Sequence, residues 1–274
     1  MRKIIFVVCI IVFLYSLYNI VFYAYENKKL ADKNDFVQDM VQIETPSQNI
    51  GSIKLPNENK DLSPEIDVDI QLPTEPEDIY KDLKININVD WEGIKPKAKD
   101  LVAWIYIPDT NINFPVLHHK TDTQYYLNRD YEGKWNNGGS IFLNKSTDID
   151  SKNVFIYGHN MTADIMFHQI RFYKEQEFVD NHQYIYIVTE NETRIYQVFS
   201  VVLTPYWSDS YTYDFDLPEN MSFMEYIEQE NIKSIIKTNT REVVEEDSII
   251  TLSTCSGRTK TERLLVHAVL ITTY

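Results

Sequence analysis

The sequence predicts a mainly β fold: a closed barrel of seven to eight strands with helical insertions, preceded by a transmembrane helix and a linker. Three observations predict it. Seven segments rich in β-branched and aromatic residues recur from Trp91 onward, with turn residues between them. Only two stretches in the same region space their apolar residues as a helix does. Ahead of them stand a long apolar run and then an acidic, proline-containing segment.

The apolar run covers Ile4 to Tyr25 and is interrupted only by Ser16 and Asn19. As a helix its 22 residues would span about 33 Å, enough for a bilayer core. Arg2 and Lys3 favour an inside N-terminus, although Lys28, Lys29 and Lys33 follow on the other side. A cleaved signal peptide is the rival reading, but its apolar core would be shorter and no A-x-A-like site follows. The expectation is an uncleaved anchor at residues 1–25, with the N-terminus inside and the rest of the chain outside the cell membrane.

Residues 26–90 carry five of the ten prolines, Pro46, Pro56, Pro64, Pro73 and Pro76, and seven lysines against fifteen acids. Such a stretch buries little apolar surface and reads as an extended, self-repelling linker. A short helix over Ala31 to Val41 is compatible with the pattern, and regular structure is expected to begin near Ile85.

From residue 91 to 274 the expected strands are Val102 to Ile107, Ser140 to Leu143, Val154 to Tyr157, Tyr184 to Val188, Arg194 to Leu203, Ser248 to Ser253 and Leu264 to Thr273. Pro108-Asp109, Asn137-Gly138-Gly139 and Glu190-Asn191-Glu192 supply turns. Helical spacing marks Ala163 to Glu175 and Ser222 to Ile236, with Ser222 as N-cap of the second.

Composition excludes some functions. A formal net charge of -15 repels phosphate backbones, so nucleic acid is not an expected partner. The two cysteines, Cys9 and Cys255, are far apart and offer no disulfide framework. No ligand cluster suggests a metal, and no cofactor is expected.

Cys255 ends an apolar strand and is followed by a polar, basic loop, where the reactive thiolate would be stabilised. A small buried hydrophobe is the alternative for any single cysteine. A thiol nucleophile needs a proton carrier. Of six histidines, His118 and His119 fall in a loop after Pro115, His168 on the first helix, His182 in a turn and His267 inside the last strand. His159 differs because it follows a strand through Gly158 and would project from its end. Arg263 opens the last strand; if a hairpin joins it to the cysteine strand, the two face each other. A guanidinium there could bind a carbonyl or oxyanion; a surface ion pair is the plainer reading.

At this point the residues resemble the sortase family. Thr251-Leu252-Ser253-Thr254-Cys255 with Arg263 looks like its cysteine motif, and Tyr157-Gly158-His159-Asn160-Met161 followed by Met166-Phe167 its histidine motif. Asn111 to Val116, Tyr126 to Asp130 and Gly139 to Phe142 follow the family order. The resemblance covers Trp91 to Tyr274, and the helical stretch before the cysteine strand is similar to class B members.

The resemblance implies a sortase-like barrel and a cysteine transpeptidase. Cys255 would attack the threonine carbonyl of a C-terminal sorting signal on a secreted protein. His159 would act as acid and base, and Arg263 would hold the substrate and stabilise charge. Asn128 and Ser253 match positions near the substrate groove. The implied partners are secreted proteins bearing the signal and the amine of a lipid II-like cell-wall precursor. Family members often carry an acid after the cysteine, where this chain has Ser256. Three alternatives remain: a pilin polymerase using a lysine amine, a hydrolytic cysteine protease, and a non-enzymatic surface-binding module.

Overall fold

The apolar run and the polar residues after it form one unbroken helix, α1 (Arg2–Gln38), about 55 Å long. The computed structural model of the chain describes residues 2–44, 79–161, 165–217, 219–255, 257 and 259–274. Among these, α1 is the one helix long and apolar enough to cross a membrane, and its apolar part is not buried against the protein. The five linker prolines, Ala163 and Ser256 lie outside the described residues.

Both ends of the expected linker belong to the folded unit. After α1 comes β1 (Val41–Glu44), which pairs antiparallel with β2 (Asn86–Val89), Glu44 facing Asn86. Val37, Leu83, Ile85, Ile87 and Val89 are buried in a common apolar cluster with Trp104, Leu117 and Tyr186 of the barrel wall. Lys33 pairs with Asp130 and Glu132. The acidic stretch therefore leaves from and returns to one small sheet, instead of separating helix from barrel. The apolar alternation at Ile85, Ile87 and Val89 is the local cause, since it gives β2 one face to bury.

A short helix α2 (Trp91–Ile94), N-capped by Asp90 whose side chain accepts from Gly93, leads into the barrel. Its strands are β3 (Leu101–Tyr106), β4 (Asn113–Leu117), β5 (Ile141–Leu143), β6 (Asn153–Tyr157), β7 (Tyr184–Val188), β8 (Thr193–Pro205), β9 (Ile249–Cys255) and β10 (Glu262–Thr273). They close in the order β10-β8-β7-β3-β4-β5-β6-β9. All neighbours are antiparallel except β4 with β5 and β6 with β9. Ala103, Ile105, Val116, Val154, Ile156, Ile250, Leu252, Leu264 and Val266 fill the interior. Most outward residues are covered too, which is why the strands read as apolar runs instead of strict alternation.

One strand of the barrel went unpredicted. Pro115 lies within β4, and proline in a run argues against a central strand. Ile107 N donates to Ile112 O, so the alternating ladder leaves Trp104 and Pro115 opposite each other without a hydrogen bond. The side of Pro115 that lacks a donor then faces β5, whose pairing starts only at Val116.

The helix expected over Ala163 to Glu175 is also corrected. Residues 169–174 form a 3₁₀ helix and α3 (Gln176–Asn181) follows. Met166 has a φ of 57°, which an α-helix cannot contain. Phe167 N instead donates to His159 O at 2.9 Å, with the Phe167 ring fully buried. Tertiary packing thus overrides the helical spacing.

The last helix is α4 (Phe223–Lys233), and Ser222 caps it in a reciprocal box with Glu225. Phe223, Tyr226 and Ile227 pack onto Phe199, Ile249 and Val269 of the outer barrel wall. The expected apolar face does not continue: Ile232 is 77% exposed, and the buried position is Glu230. Its carboxylate meets His267 Nε2 at 3.2 Å, Lys233 Nζ at 2.9 Å and Ser210 Oγ at 2.8 Å.

Two outcomes follow from this packing. Val37→Ala removes two buried carbons that join α1 to the barrel and should cost about 2 kcal/mol in denaturant unfolding; no change would mean the helix end is not docked. For Glu230, burial alone would raise the carboxyl, but His267, Lys233 and Ser210 outweigh it and hold it below the ordinary carboxylate value. A carboxyl lowered on folding adds stability above its unfolded pKa, and that stability is lost as pH falls through the lowered native value. Glu230→Gln should therefore flatten the decline of Tm on the acid side of pH 4.5; an unchanged acid limb would contradict the pairing.

Candidate active site

The parallel ladder between β6 and β9 sets Tyr157 beside Ser253. Beyond it the two chains stay joined by three bonds. Gly158 N donates to Ser253 O at 3.2 Å, Thr254 Oγ1 to Gly158 O at 2.9 Å, and Asn160 Nδ2 to Cys255 O at 2.9 Å. His159 lies between these attachment points. On the other side, the antiparallel register of β9 and β10 pairs Cys255 with Arg263. The fold thus brings three strand ends together, with the cysteine in the middle.

Side chains point outward from this wall in rungs, because residues two apart share a face. Arg263 and Cys255 form the first rung, Leu265, Ser253 and Tyr157 the second, His267, Thr251 and Phe155 the third. The Cys255 thiol is free and half-buried. Arg263 Nη1 donates to the carbonyls of Lys260 at 3.0 Å and Glu262 at 3.1 Å, and its guanidinium lies 5.6 Å from the Tyr206 ring centre.

His159 is oriented by backbone. Its Nε2 lies 2.7 Å from Leu127 O, and a carbonyl can only accept, so Nε2 carries the proton in this bond. Nδ1 of the neutral ring is then left to accept one. Leu127 sits in the 3₁₀ turn Tyr125–Asn128, which places Asn128 one residue beyond the carbonyl that holds His159. Ser253 is buried, and its Oγ lies 2.9 Å from the hydroxyl of Tyr211.

Sequence reasoning did not find Tyr211. It belongs to a tyrosine- and aspartate-rich stretch without periodicity, and its partner is 42 residues away. Burial pushes its phenol above the ordinary tyrosine range, and the hydrogen bond with Ser253 and the charge of Arg263 offset only part of that rise. Burial also pushes Tyr157 up to about 12. Near neutral pH both are therefore hydrogen-bonding groups and not bases. Asn160 was visible only as part of a motif; its Oδ1 also meets His168 Nδ1 at 3.0 Å. His119 stacks on Tyr125, His118 lies 3.4 Å from Asp148, His182 caps α3 and His267 is buried against Thr251, while His159 lies between the bonds that tie its loop to the end of the cysteine strand. Among the described residues no group of three or more His, Cys, Asp or Glu could hold a metal ion.

Two glycines hold His159 from opposite sides. A Cβ at Gly158 would come within 2.5 Å of Ile141 Cδ1 and 2.6 Å of Phe167 Cγ. At Gly139, with φ +60°, it would lie 2.4 Å from Leu127 O itself. Gly158→Ala should cost roughly 2 kcal/mol of stability and lower kcat/KM at least about tenfold, since the ring would be displaced. Thermal unfolding and steady-state rates check this; wild-type values for both would mean the loop shifts without moving His159.

Comparisons with known proteins agree with this geometry. The Sortase domain family matches residues 105–271. A curated relative, sortase B of Listeria monocytogenes, is 33% identical over 181 residues, covering 64% of this chain and 71% of the relative. The solved Staphylococcus aureus sortase B–substrate complex is 30% identical with a TM-score of 0.60, covering 67% of this chain and 85% of that one. A Bacillus anthracis protein described as similar to sortase B covers 90% of this chain and 96% of its own, with 28% identity and a TM-score of 0.63. The eight-stranded barrel, the match along most of its strands and the class B relatives together make this chain a member of the sortase family, a cysteine transpeptidase of class B.

Proposed function

We propose that this transpeptidase cleaves a C-terminal sorting signal of secreted proteins after threonine and joins the protein to an amine of a lipid II-like cell-wall precursor. The observation that carries the proposal is the register that faces Cys255 with Arg263 while Asn160 ties the His159 loop to the Cys255 carbonyl. The similarity to a substrate-bound Staphylococcus aureus sortase B supports a sorting-signal peptide as donor.

In this reading Cys255 gives its thiol proton to His159, and the thiolate attacks the threonine carbonyl carbon and forms a C–S bond. The C–N bond breaks, and His159 gives its proton to the leaving amine. The incoming amine then attacks the thioester and passes a proton to His159, and the C–S bond breaks to free the thiolate. Arg263 binds the peptide carbonyl and the oxyanion; this requires it to exchange the carbonyls of its own turn for substrate. Asn128 and Ser253 contact the peptide, one beside the His159 clamp and one on the rung below Cys255.

The reading also assigns the chain's organisation. Residues 4–25 span the cell membrane once, within an anchor segment of residues 1–25, and the N-terminus is inside. Residues 26–90 lie outside the membrane, and 91–274 form the catalytic domain. Burial of Val37 and Ile85 against the barrel makes the two ends of the middle segment part of the same body.

Full-length chain in detergent, given a mixture of sorting-signal peptides and an amine acceptor, should yield three products by mass spectrometry. These are peptides cut after threonine, an acyl adduct on Cys255, and an amine-ligated product. Cys255→Ala should abolish all three, and His159→Ala or Arg263→Ala should slow turnover at least about 100-fold. Water as the only acceptor would indicate a hydrolase instead, and cleavage surviving in Cys255→Ala would refute the mechanism.

A further inference from the structure

The mechanism above makes no use of a polar network buried two rungs below Cys255. His267, Thr251, Asn153, Ser210 and Glu230 are each fully buried on the outer side of the barrel wall, under α4. Thr251 Oγ1 donates to Asn153 Oδ1 at 2.8 Å, and its oxygen lies 3.0 Å from His267 Nδ1. The single hydroxyl proton is thereby used, so Nδ1 donates to it, while Nε2 faces the Glu230 carboxylate at 3.2 Å. The other Glu230 oxygen accepts from Ser210 Oγ at 2.8 Å and Lys233 Nζ at 2.9 Å.

This network ends on the segment that carries Tyr211. Ser210 is gripped through its hydroxyl by Glu230 and by Lys233, whose Nζ donates to it at 3.0 Å, and through its carbonyl by Tyr226 OH at 2.9 Å. Thr212 O accepts from Asn153 Nδ2 at 3.0 Å. Residues 210 and 212 are thus tied into the buried layer. Tyr211 between them stacks on Phe155, ring centres 5.5 Å apart, and brings its hydroxyl to Ser253. Ser253 and Cys255 share one face of β9, so Tyr211 borders the strip along which a peptide acylating Cys255 would lie.

We propose that Glu230 is a positioning residue: through Ser210 it fixes Tyr211 against Ser253 as a wall of the groove that takes the sorting-signal peptide. A buried carboxylate is a costly way to attach a helix, and an apolar side chain would continue the helix face of Phe223, Tyr226 and Ile227. What a carboxylate adds is a fixed acceptor for Ser210, on a loop segment that makes no strand ladder of its own. The inference rests on the proposed role of Cys255 and concerns peptide binding, not the bond-breaking steps.

Two measurements on the full-length chain test it. Hydrogen exchange needs no substrate: Ser210→Ala should speed exchange of the 209–213 amides and leave β9 protected, and unchanged exchange there would overturn the proposal. Kinetics with a peptide cleaved by the wild type should show KM raised about fivefold by Ser210→Ala or by Tyr211→Phe, the worth of one hydrogen bond, with kcat within about twofold. Because both act through one contact, the double variant should be no worse than about fivefold. Multiplication to about 25-fold, or a fall in kcat at constant KM, would overturn it. Glu230→Gln, which keeps an acceptor oxygen, should come closer to wild type than Glu230→Ala; should the alanine variant not fold, Ser210→Ala carries the test. If the wild type cleaves no peptide and forms no Cys255 adduct, the proposed function has failed, and the exchange experiment still decides the positioning.

Discussion

The chemistry of this chain depends on one piece of backbone geometry, the parallel ladder that sets Tyr157 beside Ser253. Side chains on a strand alternate, so a slip of one residue would turn Cys255 into the barrel and Thr254 out to the groove. What prevents the slip is the interior. Ile250 and Leu252 on β9 and Val154 and Ile156 on β6 are at most 1% exposed and fill the barrel core. Burying them in the opposite register is impossible, because Thr251, Asn153 and Ser253 would replace them. The apolar core thereby sets the direction of the thiol, and the strand beside it sets the direction of the histidine.

The outer side of the same wall uses a different balance of forces. Near α4 it is part apolar, through Phe223, Tyr226 and Ile227, and part ionic, through Glu230, Lys233 and His267. Removing charges from water is expensive, and only charge pairing and hydrogen bonds inside the protein offset it. Here the partners come from four separate elements: β6, β9, β10 and the 3₁₀ turn at Asp209–Tyr211. Such a layer adds less to stability than an apolar one of the same size, but it specifies where each element sits. The segment from Ser210 to Thr212 makes no ladder of its own, so this layer is what holds it.

On the far side, α1 enters the body instead of standing off from it. Val37 is 1% exposed, and Lys33 pairs with Asp130, whose other carboxylate oxygen accepts from Glu132 N and Lys134 N. The turn so held follows Asn128, and Leu127 just before it binds His159. A continuous path of contacts therefore runs from the helix end to the His159 ring.

Much of this was legible in the residues. The seven expected strands, the single long apolar helix, the Ser222 cap and the three strand-end side chains Cys255, His159 and Arg263 are all local patterns, and each lies where its pattern placed it. The failures were non-local. β4 was hidden because Pro115 is tolerated only by virtue of where β5 begins, and the helix at Ala163 to Glu175 gave way to a left-handed Met166 and a bond from Phe167 N to His159 O. The sequence analysis did not single out Glu230, whose carboxylate partners His267, Lys233 and Ser210 come together only in the fold, nor Tyr211, which lies in a stretch without periodicity. What the sequence determined by itself was the conformation each segment prefers and which of its faces avoids water, because those depend on neighbours a few residues away. Tertiary structure alone decided which segments adjoin. Asn160 and Cys255 meet across 95 residues and His159 and Leu127 across 32, contacts that no local preference encodes and that form only when the whole barrel closes around its core.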